Sequence, residues 1–167
     1  MILGIVLAGG RSSRFGSDKA RAMFAGRPLA DHARDLLLPH ADRVVIADHG
    51  ADISDRPRDG LGPLGGIAGA LDHAAAYGFA SVMTIACDMP RLPDGLIDRI
   101  ASTPDSYCLD APVLGHWRIA HRGALIADLE HRADRSVRHW AGRIGAVAIP
   151  SPTPIANINT PQDLLAP

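Results

Sequence analysis

The chain has 167 residues, 47% of them hydrophobic but only 4% aromatic, so it suits one domain with a core built mainly from Ala, Leu, Ile and Val. Its 17 Lys and Arg against 18 Asp and Glu leave a net charge of −1, and with few rings to stack bases this argues against nucleic-acid binding. Cys87 and Cys108 form no C-x-x-C pair and the histidines show no H-x-x-x-H or H-E-x-x-H spacing, so neither a zinc site nor a disulfide framework is expected.

The first predicted element is a buried strand over residues 2–7, Ile-Leu-Gly-Ile-Val-Leu. It is short and lacks a basic lead-in, so it reads as neither a signal peptide nor a membrane span, and a reducing cytoplasm is the expected compartment. The strand runs into Ala8-Gly9-Gly10-Arg11-Ser12-Ser13-Arg14-Phe15-Gly16-Ser17-Asp18-Lys19. Small residues at a strand end let backbone N–H groups approach an anion, and Arg14 and Lys19 can neutralise phosphate charge. Neither the dinucleotide fingerprint G-x-G-x-x-G nor the P-loop is present, so the loop is read as a nucleoside-triphosphate site of a different design.

Pro28 can start a helix in which Leu29, Ala33, Leu36 and Leu37 recur at helical spacing. Val44–Ile46 reads as a short strand, and Leu64, Ile67, Ala68, Leu71 and Ala75 form a second helical stripe with Pro63 at its first position. Residues 81–86 are the next strand, ending at Cys87-Asp88-Met89-Pro90. Pro93 opens a predicted helix through Ile100, and residues 107–121 contain one or two strands. Further helices follow around Leu125–Leu129 and Ser136–Ile144, then a strand over 146–149. Thr160 and Pro161 are placed at the N-cap and first position of a terminal helix. Alternating strands and helices predict a mostly parallel sheet covered on both faces. His32, His73, His116 and His121 read as surface or capping residues.

Ligands in such sheets sit beyond the carboxyl ends of the strands. Asp88 stands there and can hold Mg²⁺, which takes one or two carboxylates plus substrate phosphates; the alternative is a turn cap before Pro90. In Asp59-Gly60-Leu61-Gly62-Pro63-Leu64-Gly65-Gly66-Ile67, the glycines either admit a ligand to the helix start or serve tight packing. Asn157-Ile158-Asn159-Thr160-Pro161 carries two asparagines that a helix cap leaves unexplained.

These four segments resemble the molybdenum-cofactor guanylyltransferases (molybdopterin-guanine dinucleotide biosynthesis protein A), within the wider nucleotidyltransferase superfamily. The matching residues are Leu7-Ala8-Gly9-Gly10 with Arg14 and Lys19, Asp59 before Gly62-Pro63-Leu64-x-Gly66-Ile67, Cys87-Asp88-Met89-Pro90, and Asn157-Ile158-Asn159-Thr160-Pro161. The chain departs from the family at Phe15, where methionine is usual, and at Ala47, where asparagine is common. Pro112 stands for a proline of the acceptor pocket. The resemblance implies a Rossmann-like three-layer α/β sandwich of the nucleotide-diphospho-sugar transferase type. It also implies Mg²⁺-dependent transfer of GMP from GTP to molybdopterin or its molybdenum form, with release of pyrophosphate.

Carried over by motif, Leu7, Ala8, Gly9, Gly10, Asp59, Gly62 and Pro63 would hold the nucleotide and Lys19 its phosphates. Arg14 and Lys19 would stabilise charge developing in the reaction. Asp88 would bind Mg²⁺ and the triphosphate, and Asn157 and Asn159 would lie toward the pterin. Cofactor-biosynthesis proteins or client molybdoenzymes would be the partners. Two other readings stay open: a related transferase, using CTP or a small phosphorylated acceptor, and a non-catalytic nucleotide- or pterin-binding module. Gly9-Gly10, where cytidylyl relatives tend to carry Ala-Gly, favours guanine.

Overall fold

A strand as apolar as residues 2–7 is stable only inside a sheet covered on both faces. The computed structural model describes residues 1–8, 19–47 and 53–165. Its strands are β1 (Ile2–Leu7), β2 (Met23–Phe24), β3 (Arg27–Pro28), β4 (Arg43–Ala47), β5 (Ser81–Ala86), β6 (Ser106–Cys108), β7 (Gly115–Arg118) and β8 (Val147–Ile149). The helices are α1 (Leu29–Leu37), α2 (Pro63–Ala76), α3 (Leu96–Ala101), α4 (Arg122–His131) and α5 (Val137–Arg143).

Six strands form the central sheet in the order β4-β1-β5-β7-β6-β8, while β2 and β3 make a separate hairpin. β1 runs parallel to β4 and β5, and β6 parallel to β8; β7 alone in this sheet opposes its neighbours β5 and β6. Side chains alternate across the sheet with period two. Leu3 and Ile5 of β1 and Val82 of β5 face α2, α4 and α5. Val6, Met83 and Ile85 face α1 and α3. The result is a Rossmann-like three-layer sandwich around a mostly parallel sheet, as expected from the alternation. Among the described residues no helix is long and apolar enough to cross a membrane.

Helix α2 packs unusually close to the chain that precedes it. A Cβ on Gly69 would lie 2.1 Å from the Ser54 carbonyl oxygen, and one on Gly65 would lie 2.8 Å from Leu61 Cβ and 3.0 Å from Asp55 Oδ2. Of the two readings of these glycines, the structure shows the packing one: Gly65 meets the chain's own 55–61 segment, and Gly66 meets Leu7. Their missing side chains admit protein.

Other differences have local causes. Pro93 begins a turn closed by the Leu96 N–H on the Pro93 carbonyl, so α3 starts at Leu96 and not at Pro93. The terminal helix is a 3-10 segment over Pro161–Leu165. It is capped by Asp163, whose Oδ2 accepts from the backbone N–H groups of Asn159 and Thr160 at 2.8 Å each. His116 is not at the surface but 2% exposed. Its Nδ1 lies 3.3 Å from the Ile100 carbonyl and its Nε2 2.8 Å from Ser81 Oγ. The carbonyl can only accept, so Nδ1 carries the proton and the Ser81 hydroxyl donates to Nε2. His121 reaches Asp105 Oδ2 at 3.1 Å.

Asp105, buried at the start of β6 with φ 55, joins the edge of the sheet together. It accepts from the Arg118 backbone N–H at 2.9 Å and from the Arg118 guanidinium. Burial pushes its carboxyl up, but these bonds and His121 outweigh that and hold it below the ordinary carboxylate range. Burial likewise holds the His116 imidazole below its ordinary 6.5.

Both shifts make the fold weaken on acidification. Below 6.5 the unfolded chain takes up a proton that buried His116 refuses. Stability contributed by the depressed carboxyl of Asp105 is present above the ordinary carboxylate value and is lost as pH falls through the lower folded value. Asn tolerates the left-handed backbone at this position, so Asp105→Asn should lose about 1–3 kcal/mol at neutral pH in urea melts, with the deficit shrinking below about pH 4. Gly69→Ala should cost about 1–3 kcal/mol by forcing Ser54 away. Gly66→Ala, whose one tight contact is the flexible end of Leu7 at 3.2 Å, with Asp55 Oδ1 at an ordinary 3.7 Å, should cost clearly less in the same melts.

Candidate active site

The chain runs from β1 outward to β4, then returns across β1 to β5. That reversal leaves a crevice at the carboxyl ends of β1 and β5, the switch point where open α/β sheets bind ligands. Leu7 is level with Ala86 in the parallel register. Beyond that line β1 closes with the Ala8 N–H on the Ala47 carbonyl at 3.0 Å, and the Cys87 N–H bonds the Leu7 carbonyl at 3.2 Å.

A cavity of about 470 Å³ opens there. Leu7, Ala8, Lys19 and Pro63 line one part of it, Ala86–Met89 its floor, and Asp110–Val113 with Asn157 the remainder. On its lining Lys19 Nζ bonds Asp88 Oδ2 at 2.9 Å, with side chains only 17% and 25% exposed. Lys19 Nζ also donates to Asn159 Oδ1 at 3.3 Å. One ammonium therefore joins the segment after the first loop, the end of β5 and the C-terminal tail.

The tail reaches the site by a short apolar anchor. Ile158 is buried with Phe24 of the β2–β3 hairpin and Leu29 of α1, and its N–H bonds the Asp88 carbonyl at 2.9 Å. With Ile158 turned inward, Asn157 and Asn159 on either side are exposed. The opposite wall is the β6–β7 turn, held by Asp110 Oδ2, which accepts from the Ser151 N–H at 2.8 Å.

Of the residues singled out from sequence, the structure thus brings Leu7, Ala8, Lys19, Pro63, Asp88 and Asn157 to one cavity, with Asn159 bonded to Lys19. Gly62 is the exposed N-cap of α2 and Asp59 lies in the exposed turn before it; neither lines the cavity. Gly9, Gly10 and Arg14 lie outside the described residues. Sequence reasoning missed Asp110 and Val113. The signal available was Asp-x-Pro between two short apolar runs, a turn on the same side of the sheet as Asp88 once β6 is parallel to β5.

The donor set suits a metal ion that arrives with phosphates. No cluster of three or more His, Cys, Asp or Glu side chains able to hold a metal occurs among the described residues. Asp88 offers a single part-exposed carboxylate whose only side-chain partner among those residues is Lys19. Mg²⁺ keeps several waters and commonly takes just one or two carboxylates besides substrate phosphates, so Asp88 fits it.

Residues 4–147 match the model of the MobA-like NTP transferase domain. A molybdenum cofactor guanylyltransferase of Rhodobacter capsulatus is 37% identical, over 98% of this chain and 93% of that one. Another from Rhizobium leguminosarum bv. trifolii is 34% identical over 98% and 90%. Among solved structures, molybdopterin-guanine dinucleotide biosynthesis protein A from Archaeoglobus fulgidus superposes with a TM-score of 0.71 at 23% identity, covering 99% of this chain and 95% of that one. The 2-C-methyl-D-erythritol 4-phosphate cytidylyltransferase of Thermus thermophilus gives 0.64 at 17%, covering 99% and 96%. At such identities these two structures speak for the nucleotidyltransferase fold.

Proposed function

The chain belongs to the MobA-like NTP transferase family, a family of nucleotidyltransferases, and we propose that it moves GMP from GTP to the terminal phosphate of molybdopterin or its molybdenum form, releasing pyrophosphate. The observation that carries this reading is the Lys19–Asp88 pair at the floor of the switch-point cavity. The names of its relatives supply the guanine and the acceptor.

An oxygen of the acceptor phosphate would attack the α-phosphorus of GTP. A new P–O–P link forms as the α–β bond breaks, and its electrons leave on pyrophosphate. The attacking oxygen is already anionic, so no strong general base is needed, and positioning with charge neutralisation supplies the catalysis. Lys19 would turn from Asp88 toward the phosphates, and Arg14 would add a second cation. Asp88 would then be released to hold Mg²⁺, which supplies Lewis-acid charge neutralisation when bound. Leu7 and Ala8, with Gly9 and Gly10, would bed the nucleotide beside Pro63. Asp59 and Gly62 would touch only what extends past Pro63. Asn157 and the Asp110–Val113 turn would face the acceptor, with Asn159 steadying Lys19.

Calorimetric titration with GTP, CTP and ATP, with and without Mg²⁺, tests this directly. Mg²⁺-dependent binding that prefers GTP is expected; a preference for CTP would make the protein a cytidylyl relative, and no triphosphate binding would leave a non-catalytic module. Lys19→Ala and Asp88→Ala should each lower kcat for GMP transfer about 10²-fold or more, with melting curves showing an intact fold. Near-normal transfer by Asp88→Ala would remove the metal assignment.

A further inference from the structure

Thr84 is a hydroxyl in the middle of an apolar strand. It is fully buried in β5, between Met83 and Ile85. Its Oγ1 donates to the Val113 carbonyl at 2.6 Å and accepts from the Trp117 indole N–H at 3.0 Å. Both lone polar groups are therefore answered by one side chain, and the chain of bonds runs in one direction, Trp117 to Thr84 to Val113.

Three features make this chain specific. Thr84 is level with Gly115 in the antiparallel β5–β7 register, where the ladder ends. Past that point no strand pairing holds the β6–β7 turn to β5, and the threonine hydroxyl takes the place of the next rung. Gly115 is what lets the indole reach: a Cβ there would stand 2.3 Å from Trp117 Cζ2. The far side of the indole is fixed by Trp140, its ring centroid 4.8 Å away, and by the stacked ring of Tyr107. The carbonyl so held belongs to Val113, part of the cavity wall, and Thr84 stands four residues before Asp88 on the strand that forms the floor.

We infer that Thr84, oriented by Trp117, is a positioning residue that sets the Asp110–Val113 wall at working distance from Asp88 and so determines how well the acceptor is bound. The acceptor part of this inference rests on the function proposed above. At its other end the wall is pinned by Asp110 to Ser151, and its base is tied by the Cys108 N–H on the Leu114 carbonyl at 2.8 Å, so loss of the Thr84 bond frees Val113 between these two ties. Thr84 touches no substrate and acts through the wall alone. Its removal should therefore be felt by the acceptor and not by GTP.

Thr84→Val keeps the shape and removes the hydroxyl; Thr84→Ser keeps the hydroxyl. For Thr84→Val the acceptor KM, measured with purified molybdopterin, should rise about tenfold, with kcat and the GTP Kd within about twofold of wild type. Thr84→Ser should restore the wild-type KM, and Trp117→Phe, which leaves the Val113 bond without its orienting donor, should fall between. In the ligand-free proteins, deuterium uptake of residues 109–114 should rise in Thr84→Val and not in Thr84→Ser. An unchanged acceptor KM in Thr84→Val overturns the inference. So does a loss shared equally between GTP and acceptor, or a Thr84→Ser that behaves like Thr84→Val. Should Thr84→Val fail to fold, the comparison of Trp117→Phe with Thr84→Ser decides by the same readouts. A wild-type protein that uses no pterin acceptor sinks the functional reading instead, and deuterium uptake then decides whether Thr84 holds the wall.

Discussion

The parallel pairing of β1 with β5 brings Leu7 level with Ala86, and the positions of the site residues are set from that line. Two chain segments nearly eighty residues apart must end on the same side of the sheet, because parallel strands share a direction and the helical crossover returns the chain to the same starting edge. The switch from β4 across β1 to β5 then leaves the two strand ends with no helix between them. A cavity forms there without any residue being dedicated to making it. The strands decide where chemistry can occur; the loops beyond them decide which.

What occupies that place is an ion pair that is neither exposed nor dry. Lys19 and Asp88 are each partly covered, so their attraction is stronger than at a surface, while neither bears the full desolvation penalty of a buried charge. Such a pair can be exchanged. In the reaction proposed above, phosphates would compete for the ammonium and a divalent cation for the carboxylate, so the two charges would be neutralised before substrate arrives and redistributed afterwards. The third member, Asn159, adds a neutral acceptor that steadies Lys19 without adding charge.

The remaining walls are held by contacts remote from the chemistry. Ile158 anchors the tail in a small apolar cluster and so turns two asparagines outward. Asp105 gathers Arg118 and His121 at the start of β6, and the aromatic group Tyr107, Trp117 and Trp140 fills the space behind β7. Helix α2 is drawn in until only hydrogen fits at Gly69. The Ile158 anchor lies at the carboxyl ends of the strands, beside Asp88, whereas Asp105 ties the opposite edge of the sheet, where Arg118 is level with Ser81 at the start of β5.

Continuous apolar runs and helical stripes determine β1, β4, β5, α1 and α2, because burial on both faces or on one stripe is a local property of side-chain order. Short loop motifs likewise single out Lys19 and Asp88, since anion and metal binding demand small residues and charges beside a strand end. The antiparallel direction of β7 was not legible: a four-residue strand looks the same read either way, and its direction is decided by its neighbours. Nor was the burial of His116, whose polar ring is accepted only because Ser81 and Ile100 answer it from other elements. The same holds for Gly65 and Gly66, which read equally as ligand loop or packing surface in the sequence and meet the 55–61 segment and Leu7 in the fold. Asp59 illustrates the limit most sharply: its motif names it for the nucleotide, while the fold sets it in an exposed turn beyond the residues that line the cavity. Composition and spacing record what each segment is able to do; long-range contact selects among those abilities, because only the folded chain fixes which groups lie within bonding distance.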